Sequence, residues 1–161
     1  MKKAIFPGSF DPFTIGHYDI LKRAAGIFDH IVVAIGNNPR KITFFSAAER
    51  RQHIETVCRD FPNAEAAVFE GLLINYVKKE NINIIVRGLR VFSDFEYELQ
   101  IGLANKDICD TIETVFMLPR PDHIFISSSM VKEIGKFGGE ISKYLPQTIY
   151  TDIARRLQAD A

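Results

Sequence analysis

The sequence has no tryptophan and only two cysteines, Cys58 and Cys109, which lie far apart. They form no C-x-x-C pair, and with the four histidines they make no zinc-ligand spacing. A disulfide framework and a structural zinc are therefore excluded, and each thiol is expected to be a buried structural one. Excess charge is absent too, since 20 lysines and arginines balance 20 acids. No global field draws in nucleic acid, so anion binding has to come from local clusters. No apolar stretch is long enough to span a bilayer, and no charged leader precedes an apolar run. A cytoplasmic protein without nucleic-acid or membrane partners is expected. Two phosphate motifs are missing: G-x-x-x-x-G-K-[ST] and G-x-G-x-x-G. That argues against P-loop ATPases and dinucleotide dehydrogenases. Linkers, repeats and low-complexity stretches are also lacking, so the 161 residues are expected to form one domain, 1–161.

What is present alternates regularly. Ala4-Ile5-Phe6, His30 to Ile35, Ala66 to Phe69, Ile82 to Val86 and Val115 to Leu118 are short apolar runs expected as strands. Helical patterns separate them. Tyr18, Leu21, Ala25 and Phe28 recur at helical spacing after the first run, and Ser46-Ala47-Ala48-Glu49 is a capping box before Ile54, Val57 and Cys58. Leu73, Tyr76 and Val77 share a face on a short helix ending near Lys79. Ser93-Asp94-Phe95-Glu96 repeats the capping pattern before a helix to about Lys106. Further helices are expected from Ser128 towards Lys136, and from Pro146 at N1, burying Ile149, Ile153 and Leu157. Continuous apolar strands suit a sheet covered on both faces. The expected architecture is α/β: a doubly wound, five-stranded parallel sheet with C-terminal helices. Ligands in such folds sit where strands end and helices begin.

Three polar stretches follow strands and are expected to converge there. In the first, Pro7-Gly8 and Asp11-Pro12 force a loop carrying Ser9, and His17 lies in the first turn of the next helix. Free N–H groups and the helix dipole favour an anion at such a place, and an imidazole can donate to phosphate. The second is Arg87-Gly88-Leu89-Arg90, whose guanidinium forks match phosphate oxygens. Both arginines could instead pair with Asp94, Glu96 or Glu98. Asp94 and Glu96 are expected to be a dipole-favoured first turn, whereas Glu98 could face the crevice. The third, Ile126-Ser127-Ser128-Ser129, sets three hydroxyls at a helix start, one of them expected as an ordinary cap. Lys132 is expected on a solvated helix face. After the second strand come Arg40 and Lys41, and spacing alone does not choose which of them reaches a phosphate.

Gly8-Ser9-Phe10-Asp11-Pro12 followed by Gly16-His17 resembles the signature of the HxGH-type nucleotidyltransferases, with Ser9 where Thr or His is common. Adding Arg87-Gly88-Leu89-Arg90, Asp94-Phe95-Glu96-Tyr97-Glu98 and Ile126 to Glu133, essentially the whole chain resembles the bacterial phosphopantetheine adenylyltransferases. The resemblance implies a Rossmann-like nucleotidyltransferase fold and a reaction. ATP and 4′-phosphopantetheine give dephospho-coenzyme A and pyrophosphate, with Mg²⁺, in coenzyme A biosynthesis. It implies His17 as catalytic residue, and Ser9, Lys41, Leu73 and Arg87 as the phosphopantetheine site. For ATP it implies Ser9, Phe10, His17, Gly88, Leu89, Arg90, Glu98, His123, Ile124, Phe125, Ile126, Ser127, Ser128 and Ser129. Metal ligands remain unassigned. A homo-hexamer and feedback inhibition by coenzyme A are implied as well. Two positions depart from the family: His123, where Tyr or Trp is frequent near adenine, and Ile42-Thr43, where a Lys-Pro run is usual.

Rival readings are another adenylyl- or cytidylyltransferase, such as one acting on nicotinamide mononucleotide, and a nucleotide-binding module without catalysis. The Arg87–Arg90 and Asp94–Glu98 stretches tell against the first. His17 beside two phosphate clusters tells against the second.

Overall fold

The computed structural model describes residues 1–37, 42–89 and 92–159, and for residues 92–94 only the backbone. Strands and helices alternate: β1 (Lys3–Gly8), α1 (Ile15–Ala25), β2 (His30–Asn37), α2 (Ala47–Cys58), β3 (Ala64–Glu70), α3 (Leu73–Lys79), β4 (Ile84–Gly88), α4 (Phe92–Ile108) and β5 (Glu113–Met117). A 3-10 turn at Pro121–His123 leads to α5 (Ser128–Lys136), and another at Ser142–Tyr144 leads to α6 (Gln147–Ala159). All pairings are parallel, in the order β3-β2-β1-β4-β5. β1 is therefore central, paired with β2 from Lys3↔His30 to Gly8↔Ile35 and with β4 at Ala4↔Ile84 and Ile5↔Ile85.

The two-residue period of a strand sends alternate side chains into two separate cores. Ala4, Phe6, Ile31, Val33 and Ile35 meet Leu21 of α1, Ile54 of α2, Val131 of α5 and Ile153 of α6. Ile5, Val32, Ala34 and Ile85 meet Ile74 and Val77 of α3, with Ile82 and Ile112. Both faces being covered explains the continuous apolar runs. α4 packs beside β5, where Phe95 and Phe116 stand edge to face and an added Cβ at Gly102 would lie 3.5 Å from Thr114 Oγ1.

Three boundaries differ from the sequence expectations. Ile82 N–H donates to the Val77 carbonyl at 2.9 Å, so Ile82 closes the end of α3. β4 consequently starts later and keeps Arg87 and Gly88 as its last residues, opposite Phe116 and Met117. α4 already includes Phe92, so Ser93 lies inside the helix and is not its cap. α6 begins at Gln147, one residue past Pro146. Cys58 is buried, and burial pushes its thiol up to about 12. Cys109 is only half-buried, its sulfur 3.3 Å from Thr111 Oγ1.

Candidate active site

The chain winds from β1 to β3 in one direction and then crosses back, placing β4 on the other side of β1. Connections leave the two carboxyl ends in opposite directions, which opens a crevice at that switch point. A cavity of about 390 Å³ lies there, lined among others by Ser9, His17, Gly88, His123 and Ser129. The three polar stretches thus meet at one place.

Its floor is the loop after β1. A Cβ on Gly8 would come within 2.7 Å of the Phe10 ring, so only glycine fits. Phe10 holds the left-handed region, φ 48°, which is strained for a bulky residue. Burial of its ring offsets that strain. The Phe10 ring is 2% exposed and stands edge to face with Phe6 at 5.3 Å and His17 at 5.1 Å, with Phe13 tilted against it. The ring is fully engaged in packing, so Phe10 can serve a nucleotide only through its backbone.

His17 has two jobs. Thr14 caps α1, and His17 at N3 takes the place usually held by Glu in a capping box. Its Nδ1 accepts the Thr14 backbone N–H at 3.0 Å. An accepting Nδ1 carries no proton, so the ring proton sits on Nε2. The imidazole on the cleft wall is therefore an oriented donor, braced by Phe10 and by Phe13 at 5.3 Å. The capping contact thus leaves the ring on the cleft wall.

Arg87 and Glu98 face each other across the cavity mouth. Arg87 Nε donates to Glu98 Oε2 at 2.5 Å, Nη2 donates to Oε1, and Nη1 donates to the Pro7 carbonyl at 2.8 Å. Arg87 is thus neutralised within the chain. Pairing with Glu98, one of the alternatives, is what occurs. Behind the pair opens a second cavity of about 660 Å³, reaching Leu73, Phe69, Ile85 and Ile101. The two cavities share Pro7, Gly8, Ser9, Arg87 and Glu98.

The serine trio is divided. Ser127 Oγ caps α5 by accepting the Met130 N–H at 3.1 Å, and the Ser128 hydroxyl donates to the Pro12 carbonyl at 2.8 Å. Three free hydroxyl donors are therefore not what the cleft presents: Ser128 is committed, leaving the Ser127 and Ser129 hydroxyls beside the α5 N-terminus. Ile126 and His123 line the same wall, and His123 Nδ1 is buried without a hydrogen-bond partner among the described residues. Ile124 and Phe125 are exposed and off the cavity wall, Phe125 standing edge to face with Tyr144. Leu89 is also off the wall, its N–H donating to the Met117 carbonyl. Lys41 and Arg90 lie outside the described residues.

Sequence reasoning missed the residues beneath the loop. Asp11, read only as a turn former, is buried and accepts N–H groups of Phe44 at 3.0 Å and Phe45 at 2.8 Å. It also accepts Lys132 Nζ at 2.6 Å, so Lys132 is part of a largely buried ion pair and not on a solvated face. Arg50 is buried as well, donating from Nε to the Phe45 carbonyl and from Nη1 to the Ser9 carbonyl. The sequence marks Asp11 only as part of the Gly8–Pro12 signature, with no role of its own, and Arg50 sits in the charged run Glu49-Arg50-Arg51.

Burial raises the Asp11 pKa, but the bonds from Lys132, Phe45 and Phe44 outweigh it, and the net value falls below 3.8. A lowered folded pKa contributes stability that is full above the unfolded value and is lost as pH falls through the folded one. Denaturant unfolding between about pH 5 and about pH 2 should therefore show Asp11→Asn flatter than wild type. Parallel curves would deny Asp11 this role.

Against known proteins, residues 5–134 match the cytidylyltransferase-like family model. A phosphopantetheine adenylyltransferase of Caldanaerobacter subterraneus is 48% identical over 149 residues, covering 92% of this chain and 93% of its own. Those of Clostridium tetani and Thermotoga neapolitana are 47% and 44% identical, each covering at least 96% of both chains. A solved Vibrio parahaemolyticus structure assigned as a nicotinate-nucleotide adenylyltransferase superposes with TM-score 0.74 over 100% of this chain and 98% of its own at 17% identity, a likeness of fold. With identity this high over nearly its whole length, the chain belongs to the phosphopantetheine adenylyltransferase family, within the cytidylyltransferase-like nucleotidyltransferases.

Proposed function

We propose that the two joined cavities divide the substrates of the family's reaction, which moves AMP from ATP to 4′-phosphopantetheine in coenzyme A biosynthesis. ATP occupies the cleft of His17, His123 and the α5 N-terminus. Phosphopantetheine lies in the larger cavity, its apolar arm against Leu73 and its phosphate at Ser9 and Arg87. The observation that carries this reading is the shared wall of Ser9, Arg87 and Glu98, where the two phosphates would meet.

The chemistry then asks little of acids or bases. The acceptor phosphate is mostly dianionic near neutral pH, its second pKa being about 6. One of its oxygens bonds to the α-phosphorus of ATP while the bond from that phosphorus to the bridging oxygen breaks, and pyrophosphate leaves with the electron pair. What the protein supplies is alignment and neutralisation of charge. Nε2–H of His17 donates to an α-phosphate oxygen, and Ser9 bridges the reactants. Lys41 and Arg87 hold the attacking phosphate. Arg90, the α5 N-terminus and the Ser127 and Ser129 hydroxyls hold the leaving phosphates. Of the five guanidinium N–H donors of Arg87, those on Nε, Nη1 and Nη2 that reach Glu98 and Pro7 fix its fork, and the remainder serve the phosphate. His123 offers its buried Nδ1 to the base in place of a stacking ring.

Mg²⁺ is assigned to the substrate, as the counter-ion of the triphosphate. Among the described residues no cluster of three His, Cys, Asp or Glu forms a metal cage, and the carboxylates near the loop are held by Lys132 and Arg87. Coenzyme A carries both substrate halves and would inhibit by filling both cavities. No helix among the described residues is long and apolar enough to cross a membrane, and a cytoplasmic location accords with the reaction. α4 exposes Tyr97, Leu99, Leu103 and Ile108 on two sides of the helix, apolar surface that accords with the family's hexamer. A monomer in sedimentation velocity at micromolar concentration would refute the hexamer.

The division of substrates is tested at Leu73. Removing an apolar side chain that the substrate would cover costs about 1.5 kcal/mol, roughly tenfold in affinity. Leu73→Ala should raise KM for phosphopantetheine about tenfold and leave KM for ATP unchanged; equal rises would reject the assignment.

A further inference from the structure

The Ser9 loop is strapped from beneath by charged groups that do not line the cleft. On one side Arg50 of α2 holds the Ser9 carbonyl at 2.7 Å. On the other, Asp11 binds Lys132 Nζ at 2.6 Å while gathering the Phe44 and Phe45 N–H groups, and the Ser128 hydroxyl reaches the Pro12 carbonyl. Lys132 is the fifth residue of α5, and that helix begins with the serines assigned to the leaving phosphates. Loop and helix are thus joined at two points, by an ion pair and a hydroxyl. His17 follows the same loop, capped through Thr14.

Stability alone is a poor reason for such a pair. Burying two charges costs desolvation that their attraction often fails to offset, and apolar replacements of similar volume are frequently neutral or stabilising. The pair does something an apolar contact would not: it directs. An ammonium seated on one carboxylate oxygen, with two backbone N–H groups on the same carboxylate, fixes both distance and orientation. We infer that Asp11 and Lys132 are positioning residues of the transfer reaction, setting the α5 N-terminus against the Ser9–His17 loop so that both phosphate ends of ATP are held in line. The inference rests on the assignment of ATP to the smaller cleft.

Three variants decide it: Lys132→Met, Asp11→Asn, and the two together. Each single variant leaves one buried charge or one unmet ammonium, so both melting temperature and kcat should fall. The double variant buries no lone charge, and its melting temperature should return close to wild type. Its kcat, measured well below that temperature, should stay down by about 10²-fold, the order expected from a misplacement near 1 Å, while KM for ATP moves less than about threefold. Recovery of kcat together with stability would overturn the inference and leave a simple brace. A double variant that does not fold would overturn it as well, since the pair would then be a folding requirement. If the substrate assignment itself were wrong, the Leu73 and Arg87 variants would reveal it independently of these three.

Discussion

His17→Ala should lower kcat by roughly 10²–10³-fold while KM for ATP changes by less than about threefold. A donor aimed at charge that develops in the transition state is worth that much when preorganised, and little in the ground state. Preorganisation is visible in the structure: Nδ1 is fixed by the Thr14 N–H, and the ring is braced by Phe10 and Phe13. The substitution also removes half of the α1 capping box, a loss of about 1 kcal/mol. A thermal melt recorded beside the kinetics separates that loss from the catalytic one. Raised KM with unchanged kcat would make His17 a binding residue only.

Arg87→Ala should weaken phosphopantetheine about 10²-fold or more in calorimetric titration and ATP by less than about fivefold, since truncating one partner of a buried charged pair costs 2–5 kcal/mol. Part of the loss comes from Glu98, which would face the incoming phosphate with its carboxylate unmet. Arg87→Ala combined with Glu98→Gln should therefore bind phosphopantetheine more tightly than Arg87→Ala alone. Equal losses for both ligands would refute the assignment of Arg87 to the acceptor.

Where sequence and structure agree, a local signal and tertiary packing point the same way. The strand runs apart from the start of β4, the Ser46 capping box and the Ile149–Ile153–Leu157 stripe recur as expected, because apolar period and caps are local facts that burial reinforces. The convergence of Ser9, Arg87 and Ser129 followed from topology, since Arg87 ends a strand of the parallel sheet and the other two follow one. What stayed hidden depends on contacts distant along the chain. Asp11 and Lys132, 121 residues apart, meet only in the fold, and nothing in the local sequence of either requires the other. The serine trio read as three donors because composition cannot show that Ser128 is spent on Pro12. Whether Arg87 pairs with Asp94, Glu96 or Glu98 stayed open because strand and helix periods do not show that Glu98 turns back over the end of β4. His17 read as either a capping residue or a ligand-facing one, and the two nitrogens of one ring allow both.

The central claim is that two anionic substrates react directly, held by oriented donors and positive charge, without a covalent adenylyl-enzyme. Exchange of labelled pyrophosphate into ATP, followed with and without phosphopantetheine, tests it most directly. Direct transfer predicts no exchange and no pyrophosphate release until phosphopantetheine is added, then release in step with dephospho-coenzyme A. Exchange in its absence would contradict the account, because ATP could then be cleaved and re-formed only through an adenylyl group carried on the protein.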